Sequence, residues 1–195
     1  MLPTFLVEHP RIRVELRLID RFVDLVAEGF DVSIRVAAGR PRDSSLTARR
    51  LATYRNLLVA APGYLAAHGA PETPADLLRH ACLGFTGYAG WPDWPLMKEG
   101  QRETVRPVCA LVADSTEVLL EAAIAGAGIT FTADWLAGPA LRAGALVEVL
   151  PGWSGKESGG VYAILPPGRL VPLKTRLFVE AVSRAIKEGW AREVL

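Results

Sequence analysis

Stretches with the patterning of β-strands alternate with stretches of helical periodicity along the whole of this chain, and that alternation limits the architecture more than any single motif. The first stretch is the clearest. Over residues 11–18 the apolar side chains Ile12, Val14, Leu16 and Leu18 interleave with Arg11, Arg13, Glu15 and Arg17. Successive side chains leave a strand on opposite faces, so a strict period of two predicts a half-buried strand. Asp20 then stands where a helix cap belongs, with Phe22, Val23, Val26 and Ala27 following at helical spacing and Gly29 as a stop. Residues 31–36 read as the next strand, and residues 39–45 as a surface loop by their turn chemistry.

The same rhythm continues. Residues 54–61 are an apolar-rich run ended by Pro62, which reads as a buried strand leading out of a first lobe; helix signals follow at 62–67 and 74–80. A strand at 81–85 precedes a loop rich in Gly, Trp and Pro that extends to Pro95, and 105–112 reads as another strand. The best-marked helix opens at Asp114-Ser-Thr-Glu117, a capping residue with Glu three positions on. It presents Val118, Leu119, Ala122 and Ala123 on one face before Gly126. A strand at 129–132, a helix at 134–141, a strand at 146–150, a loop at 152–160 and a strand at 161–165 lead to an amphipathic helix over 173–188. That helix carries Leu177, Phe178, Ala181, Val182, Ala185 and Ile186 on one side. No repeat or low-complexity tract interrupts the pattern. It predicts an α/β fold with mostly parallel sheets, and at 195 residues, half of them hydrophobic, the chain can bury a sizeable core.

Several kinds of chemistry are argued against. Twenty-two basic residues face twenty-one acidic ones, so the excess charge that drives phosphate-backbone binding is missing and nucleic acid is not expected as a direct partner. Residues 1–10 lack a basic, apolar leader pattern and no apolar run reaches about 18 residues, which predicts a cytoplasmic protein with no membrane contact. Cys82 and Cys109 lie among apolar residues without CxxC spacing. They read as buried free thiols, with a redox switch as the alternative. Gly126-Ala-Gly128 lacks the third glycine of a dinucleotide fingerprint and reads as a helix stop. His9, His68 and His80 stand far apart, with no HExxH pair and no GxSxG elbow, and read as surface or helix-end residues. Trp91 and Trp94, among Pro92 and Pro95, either stack a ligand or pack their loop. Arg40, Arg42, Arg49 and Arg50 read as solvated. No catalytic residue, metal site or cofactor is expected.

In order along the chain stand His9-Pro10, residues 20–25 (DRFVDL), Glu28-Gly-Phe-Asp31 with Ile34-Arg35, and Asp43-Ser-Ser-Leu46 with Arg49-Arg-Leu51. Residues 60–65 (AAPGYL), Gly69-Ala-Pro71, Asp76-Leu77, His80-Ala-Cys-Leu83, residues 121–129 (EAAIAGAGI), Gly144-Ala-Leu-Val147 and Phe178-Val179 follow. In this order the motifs resemble the effector-binding (substrate-binding) domain of the LysR family of transcriptional regulators over nearly the whole chain.

The resemblance implies a two-lobed, periplasmic-binding-protein-like (type 2) α/β domain, with residues 1–59 plus 163–195 as lobe I and 60–162 as lobe II. Crossing strands would lie near 57–60 and 162–165. It implies a small-molecule effector, anionic by expectation, in the cleft between the lobes, where helix N-termini and loop amides offer donors. The lining residues would be Ile19, Asp20, Arg35, Val36, Phe85, Thr86, Gly87, Ser115, Thr116, Thr130, Phe131 and Thr132. Arg35 is the natural counter-ion or else part of an ion pair, Ser115 and Thr116 are ligands or simple first-turn residues, and Phe85 lines the site or belongs to the core. The partners implied are a homodimer, a tetramer of the full-length protein, and DNA only through a winged helix-turn-helix outside this chain. The domain is expected to lack the first strand of lobe I and its hydroxyl-bearing loop, which would leave apolar edge exposed. Ile19, where a small hydroxyl residue is common, and Thr132-Ala133, in place of Leu-Pro, depart from the pattern and leave the effector unnamed. The competing readings are a free-standing solute-binding protein of the same fold, which would need an export signal, and an enzyme, which would need converging acid, base or nucleophile.

Overall fold

The computed structural model describes residues 1–18, 24–38, 46–88, 90–155, 159–168 and 170–191. Its elements run α1 (Leu2–Glu8), β1 (Ser33–Ala38), β2 (Thr47–Tyr54), β3 (Asn56–Ala60), α2 (Pro62–His68), a 3-10 turn (Pro74–Arg79), β4 (Cys82–Phe85), β5 (Trp94–Lys98), β6 (Gln101–Val105), β7 (Cys109–Ala113), α3 (Thr116–Ile124), β8 (Ile129–Ala133), α4 (Asp134–Arg142), β9 (Val147–Val149), β10 (Ser154–Gly155), β11 (Gly159–Leu165) and α5 (Leu173–Ala191). They divide into two compact units, Met1–Thr53 with Gly159–Leu195, and Tyr54–Ser158.

In the first unit the strand order is β1-β11-β2, with β1 antiparallel to β11 from Ser33↔Ile164 to Ala38↔Gly159. β11 is buried along its entire length because both its faces are covered, which is why its sequence is continuously apolar and not alternating. Ala163 and Leu165 pack with Leu51, Val179 and Val182 of β2 and α5, while Tyr162 and Ile164 pack with Leu25 on the other side. Phe5 of α1 is 1% exposed and meets the ring of Phe178 edge-on at 5.5 Å, tying the amino-terminal helix to α5. Burial of that one ring contributes roughly 1.5–3 kcal/mol.

The alternation at residues 11–18 does not make a strand. Ile12 and Val14 are half-buried, but Leu16 and Leu18 are 56% and 89% exposed, and no ladder to these residues is present among the described ones. Alternation selects the face a strand would bury; the strand itself exists only through a hydrogen-bonded neighbour. The expected helix after Asp20 begins in residues 19–23, outside the described ones. What is described is a turn, in which the Asp24 carboxylate accepts the N–H groups of Val26 and Ala27, each at 3.0 Å. The loop expected at 39–45 also lies outside the described residues. β2 was not anticipated, because Arg49-Arg50 breaks the alternation that would have announced it.

In the second unit a five-stranded sheet has the order β7-β4-β8-β3-β9, and a three-stranded one the order β10-β5-β6. β4 is parallel to β7 and β8, whereas β3 is antiparallel to β8 and β9, so the sheets are mixed where mostly parallel ones were expected. The single strand expected at 105–112 is two: β6 ends at Val105, β7 starts at Cys109, and Pro107 between them has no N–H for a ladder. β5 and β6 form an unanticipated hairpin turned at Glu99 and Gly100, both at positive φ (48° and 87°), with β6 exposed except at Val105 and so carrying no hydrophobic pattern. β10 likewise falls inside the loop expected at 152–160. α3 is capped by Ser115, whose hydroxyl accepts the Val118 N–H at 3.4 Å, one residue later than the expected Asp114. α3 and α4 end alike: Gly126 and Gly144 take positive φ, and the next N–H of each, from Ala127 and Ala145, returns to Ala122 and Ala140 at 2.9 Å.

Candidate functional site

Parallel pairing of β4 with β7 and β8 collects three chain segments at one end of the larger sheet. Leu83 pairs with Thr130 and Phe85 with Ala113, so Thr86 and Gly87, and Ser115 and Thr116, leave the sheet at the same, carboxyl, edge, beside Thr132 near the end of β8, which is still paired with Leu57 of β3. Seven of the twelve residues implied by the resemblance are drawn together there or immediately beneath. Thr86 donates its N–H to the Ala113 carbonyl at 3.0 Å, which holds the β4 turn against the end of β7. The Phe85 ring folds over Gly87 so closely that a Cβ there would lie 2.4 Å from it. Phe85 is half-buried, partly core and partly rim.

The hydroxyls differ in how they are satisfied. Thr130 is buried and donates to the Leu83 carbonyl at 3.3 Å, which makes it a strut between β8 and β4. Thr132, two residues on and 5% exposed, has a buried hydroxyl oxygen with no hydrogen-bond partner among the described residues. Leaving such a group unpaired costs about 1–3 kcal/mol. Ser115 and Thr116 both reach the carboxylate of Glu117, at 3.1 Å and 3.4 Å. An acid in the first turn also suits the partial positive charge of the α3 amino terminus. Glu117 is the residue that sequence reasoning placed only as a distant capping partner; a start one residue later brings it into contact with both hydroxyls.

The others sit elsewhere. Phe131 faces away from Thr130 and Thr132 and packs in the core, stacked on Trp94 at 5.7 Å and edge-on to Tyr88 at 5.7 Å. Trp94 is thus a core residue, and Trp91 packs over Gly84. Arg35 and Val36 belong to β1 of the first unit: Arg35 stands opposite Tyr162, half-buried, with its Nε 3.4 Å from Ser33 Oγ, and Val36 is 54% exposed. Ile19 and Asp20 lie outside the described residues. Among the described residues no group of three His, Cys, Asp or Glu side chains is placed to hold a metal ion, and no helix is long and apolar enough to cross a membrane.

Away from these strand ends, the second unit holds a ring of polar aromatics. The Tyr64 hydroxyl accepts the Ala81 N–H at 2.9 Å and lies 3.2 Å from His80 Nδ1, while His68 stacks on the Tyr64 ring at 4.4 Å. Burial raises the Tyr64 pKa above its ordinary value, and burial first, with His68 second, lowers that of His80. In the small sheet Arg106 grips the Asp93 carboxylate with two bonds of 2.7 and 3.0 Å, which lowers the pKa of Asp93.

Comparison with known proteins bears on the fold and the family. The HTH-type transcriptional regulator PtxR of Pseudomonas aeruginosa is 34% identical over 178 residues, covering 91% of this chain and 56% of PtxR. The structure of CrgA, a LysR-type transcriptional regulator from Neisseria meningitidis, superimposes with a TM-score of 0.83 at 28% identity, over 95% of this chain and 62% of CrgA. The regulatory domain of AphB from Vibrio vulnificus gives 0.78 at 30% identity, over 93% of this chain and 88% of that domain. The chain therefore spans little more than half the length of the curated relatives it matches. These relatives are regulators, which favours an effector domain over a free-standing solute-binding protein, and the fold is the periplasmic-binding-protein-like α/β one that the resemblance implied. The LysR substrate binding domain matches residues 1–187, and the chain belongs to that family.

Proposed function

We propose that the carboxyl ends of β4, β7 and β8 receive the polar group of a small effector molecule, and that the longer regulator converts this occupancy into altered DNA binding. The observation that carries the reading is the Thr132 hydroxyl, buried and without a partner among the described residues, at the sheet edge that also gathers Thr86, Ser115 and Thr116. An unpaired buried hydroxyl is a cost that a ligand offering one donor or acceptor removes. Glu117 already gives its carboxylate to Ser115 and Thr116. A neutral or donor-bearing head group meets these hydroxyls directly, whereas an anionic effector has to displace Glu117. DNA binding then belongs to a helix-turn-helix domain beyond this chain, in a cytoplasmic homodimer or tetramer, and no side chain at these strand ends acts as a nucleophile or base.

The test is thermal unfolding of the chain against a panel of small carboxylates, each paired with its amide. A ligand at 100 times its Kd adds about 2.7 kcal/mol, an easily measured shift. The expected result is a shift with at least one compound that disappears in Thr132→Val while that variant still folds; Arg35→Ala tests the first unit separately. A ligand shift unchanged by Thr132→Val would overturn this placement of the effector.

A further inference from the structure

Cys82 and Cys109 are far apart in sequence but are register partners on the neighbouring parallel strands β4 and β7. Strands lie about 4.8 Å apart, and a disulfide spans Cα atoms roughly 4.4–6.8 Å apart, so register partners on adjacent strands fall within the range a bridge can span. The side chains also share a face. Cys82 and Gly84, two residues apart on β4, point the same way, and a Cβ built on Gly84 would lie 2.9 Å from the Cys109 sulfur. The Trp91 ring fills most of the space that the missing side chain of Gly84 leaves open, at 2.2 and 2.3 Å from that Cβ, and the Cys109 sulfur borders it on the same face as the Cys82 thiol. The ladder slips by one residue just after this pair, Leu83 pairing with Leu111, so the bulge lies on the carboxyl side of the two cysteines. Cys82 is wholly buried and Cys109 half-buried, which makes Cys109 the sulfur a reagent meets first.

We propose that Cys82 and Cys109 are a redox couple, closed by small-molecule disulfides into a bridge between β4 and β7 and reopened by thiols. The Cys109 thiolate attacks one sulfur of the small disulfide and its other sulfur leaves as a thiolate. The Cys82 sulfur then attacks Cys109 and expels the second small-molecule sulfur, which leaves as the thiol carrying the proton that Cys82 gives up. Two protein thiols are oxidised, the small disulfide is reduced to two thiols, and no other oxidant enters. Burial raises both protein thiols, Cys82 to about 12 with the nearby Cys109 adding to it. The exchange is consequently slow, set by the ambient thiol–disulfide ratio, unlike that of a peroxide sensor with a low-pKa thiol. The bridge would fasten the amino ends of two strands whose carboxyl ends carry Phe85 to Gly87 and Ser115-Thr116.

The experiment incubates the folded chain with glutathione disulfide at mildly alkaline pH, blocks remaining thiols with N-ethylmaleimide and measures intact mass and linked peptides. The expected product is a monomer with no maleimide, two hydrogens lighter, containing a Cys82–Cys109 peptide and restored by dithiothreitol. Its Tm should exceed that of the reduced chain by roughly 5 °C or more. In Cys82→Ser, or Cys82→Ala should the serine variant not fold, the reaction should stop at a glutathione adduct on Cys109. Any of three results overturns the proposal: both thiols stay free in the folded chain while urea-unfolded chain reacts, the parent accumulates the Cys109 adduct without ring closure, or the product is a chain-to-chain dimer.

Discussion

Removing one oxygen, in Tyr64→Phe, tests how the second unit joins α2 to the start of β4. Tyr64 is 5% exposed, and its hydroxyl holds two bonds: it accepts the Ala81 N–H at 2.9 Å and, with His80 neutral and protonated on Nε2, donates to Nδ1 at 3.2 Å. The ring stays in phenylalanine, so its burial and its stacking on His68 are kept and only the polar pair is lost. The Ala81 N–H and His80 Nδ1 are then left without that partner, which costs about 1–3 kcal/mol. Four of the five tryptophans (Trp91, Trp94, Trp135 and Trp153) lie in the second unit, so fluorescence during urea unfolding reports on that unit. The expected change is a lower midpoint at unchanged slope. A double-mutant cycle with His80→Ala should give a coupling above the roughly 0.3–0.5 kcal/mol within which independent sites add. A Tyr64→Phe midpoint within about 0.5 kcal/mol of the parent would refute the reasoning, since it would mean that the phenol adds nothing beyond its ring.

The same cluster sets a pH response. Burial lowers the pKa of His80 below its ordinary value of 6.5, so the unfolded chain binds the proton more tightly than the folded one. The stability associated with neutral His80 is complete above pH 6.5 and is lost as pH falls from there toward the folded pKa. Urea midpoints should fall between about pH 7.5 and about pH 5, and His80→Gln should flatten that fall; an identical slope in the variant would rule this origin out. Gly84→Ala should destabilise by roughly 1–3 kcal/mol, because the added Cβ would sit 2.2 and 2.3 Å from the Trp91 ring and 2.9 Å from the Cys109 sulfur. Near-ultraviolet circular dichroism should show Trp91 displaced, and a parental spectrum with parental stability would contradict the packing.

What could be read from the sequence was what local chemistry decides. α2, α3, α4 and α5 were expected within a few residues because helical spacing, capping residues and Gly stops act within one turn. β4 and β11 were expected from their apolar runs, and β8 as the short strand after the Gly126–Gly128 stop. The misses share one cause. Residues 11–18 have the best alternation in the chain and form no strand, while β2, with Arg49-Arg50 in its middle, and β6, exposed at four of its five residues, are strands. In each case pairing, not pattern, decided, and pairing partners are distant in sequence.

The candidate site followed the same division. The resemblance named hydroxyls and an aromatic residue, and the structure sets Phe85, Thr86, Ser115, Thr116 and Thr132 at or next to the ends of β4, β7 and β8. The resemblance did not supply their hydrogen-bond states, which depend on single-residue offsets. Starting α3 one residue later turns Glu117 from a capping partner of Asp114 into the acceptor of Ser115 and Thr116. The two-residue step from Thr130 to Thr132 keeps both on one face, yet only the first finds a carbonyl. On the proposed reading, recognition at this edge rests less on which residue types are present than on which of them the backbone has left unpaired. Among the described residues Thr132 is unpaired and Ser115 and Thr116 are not, so Thr132→Val should weaken binding of a neutral effector more than Ser115→Ala does. Equal losses in ligand-induced thermal shift would show that the hydrogen bonds to Glu117 do not restrain those hydroxyls.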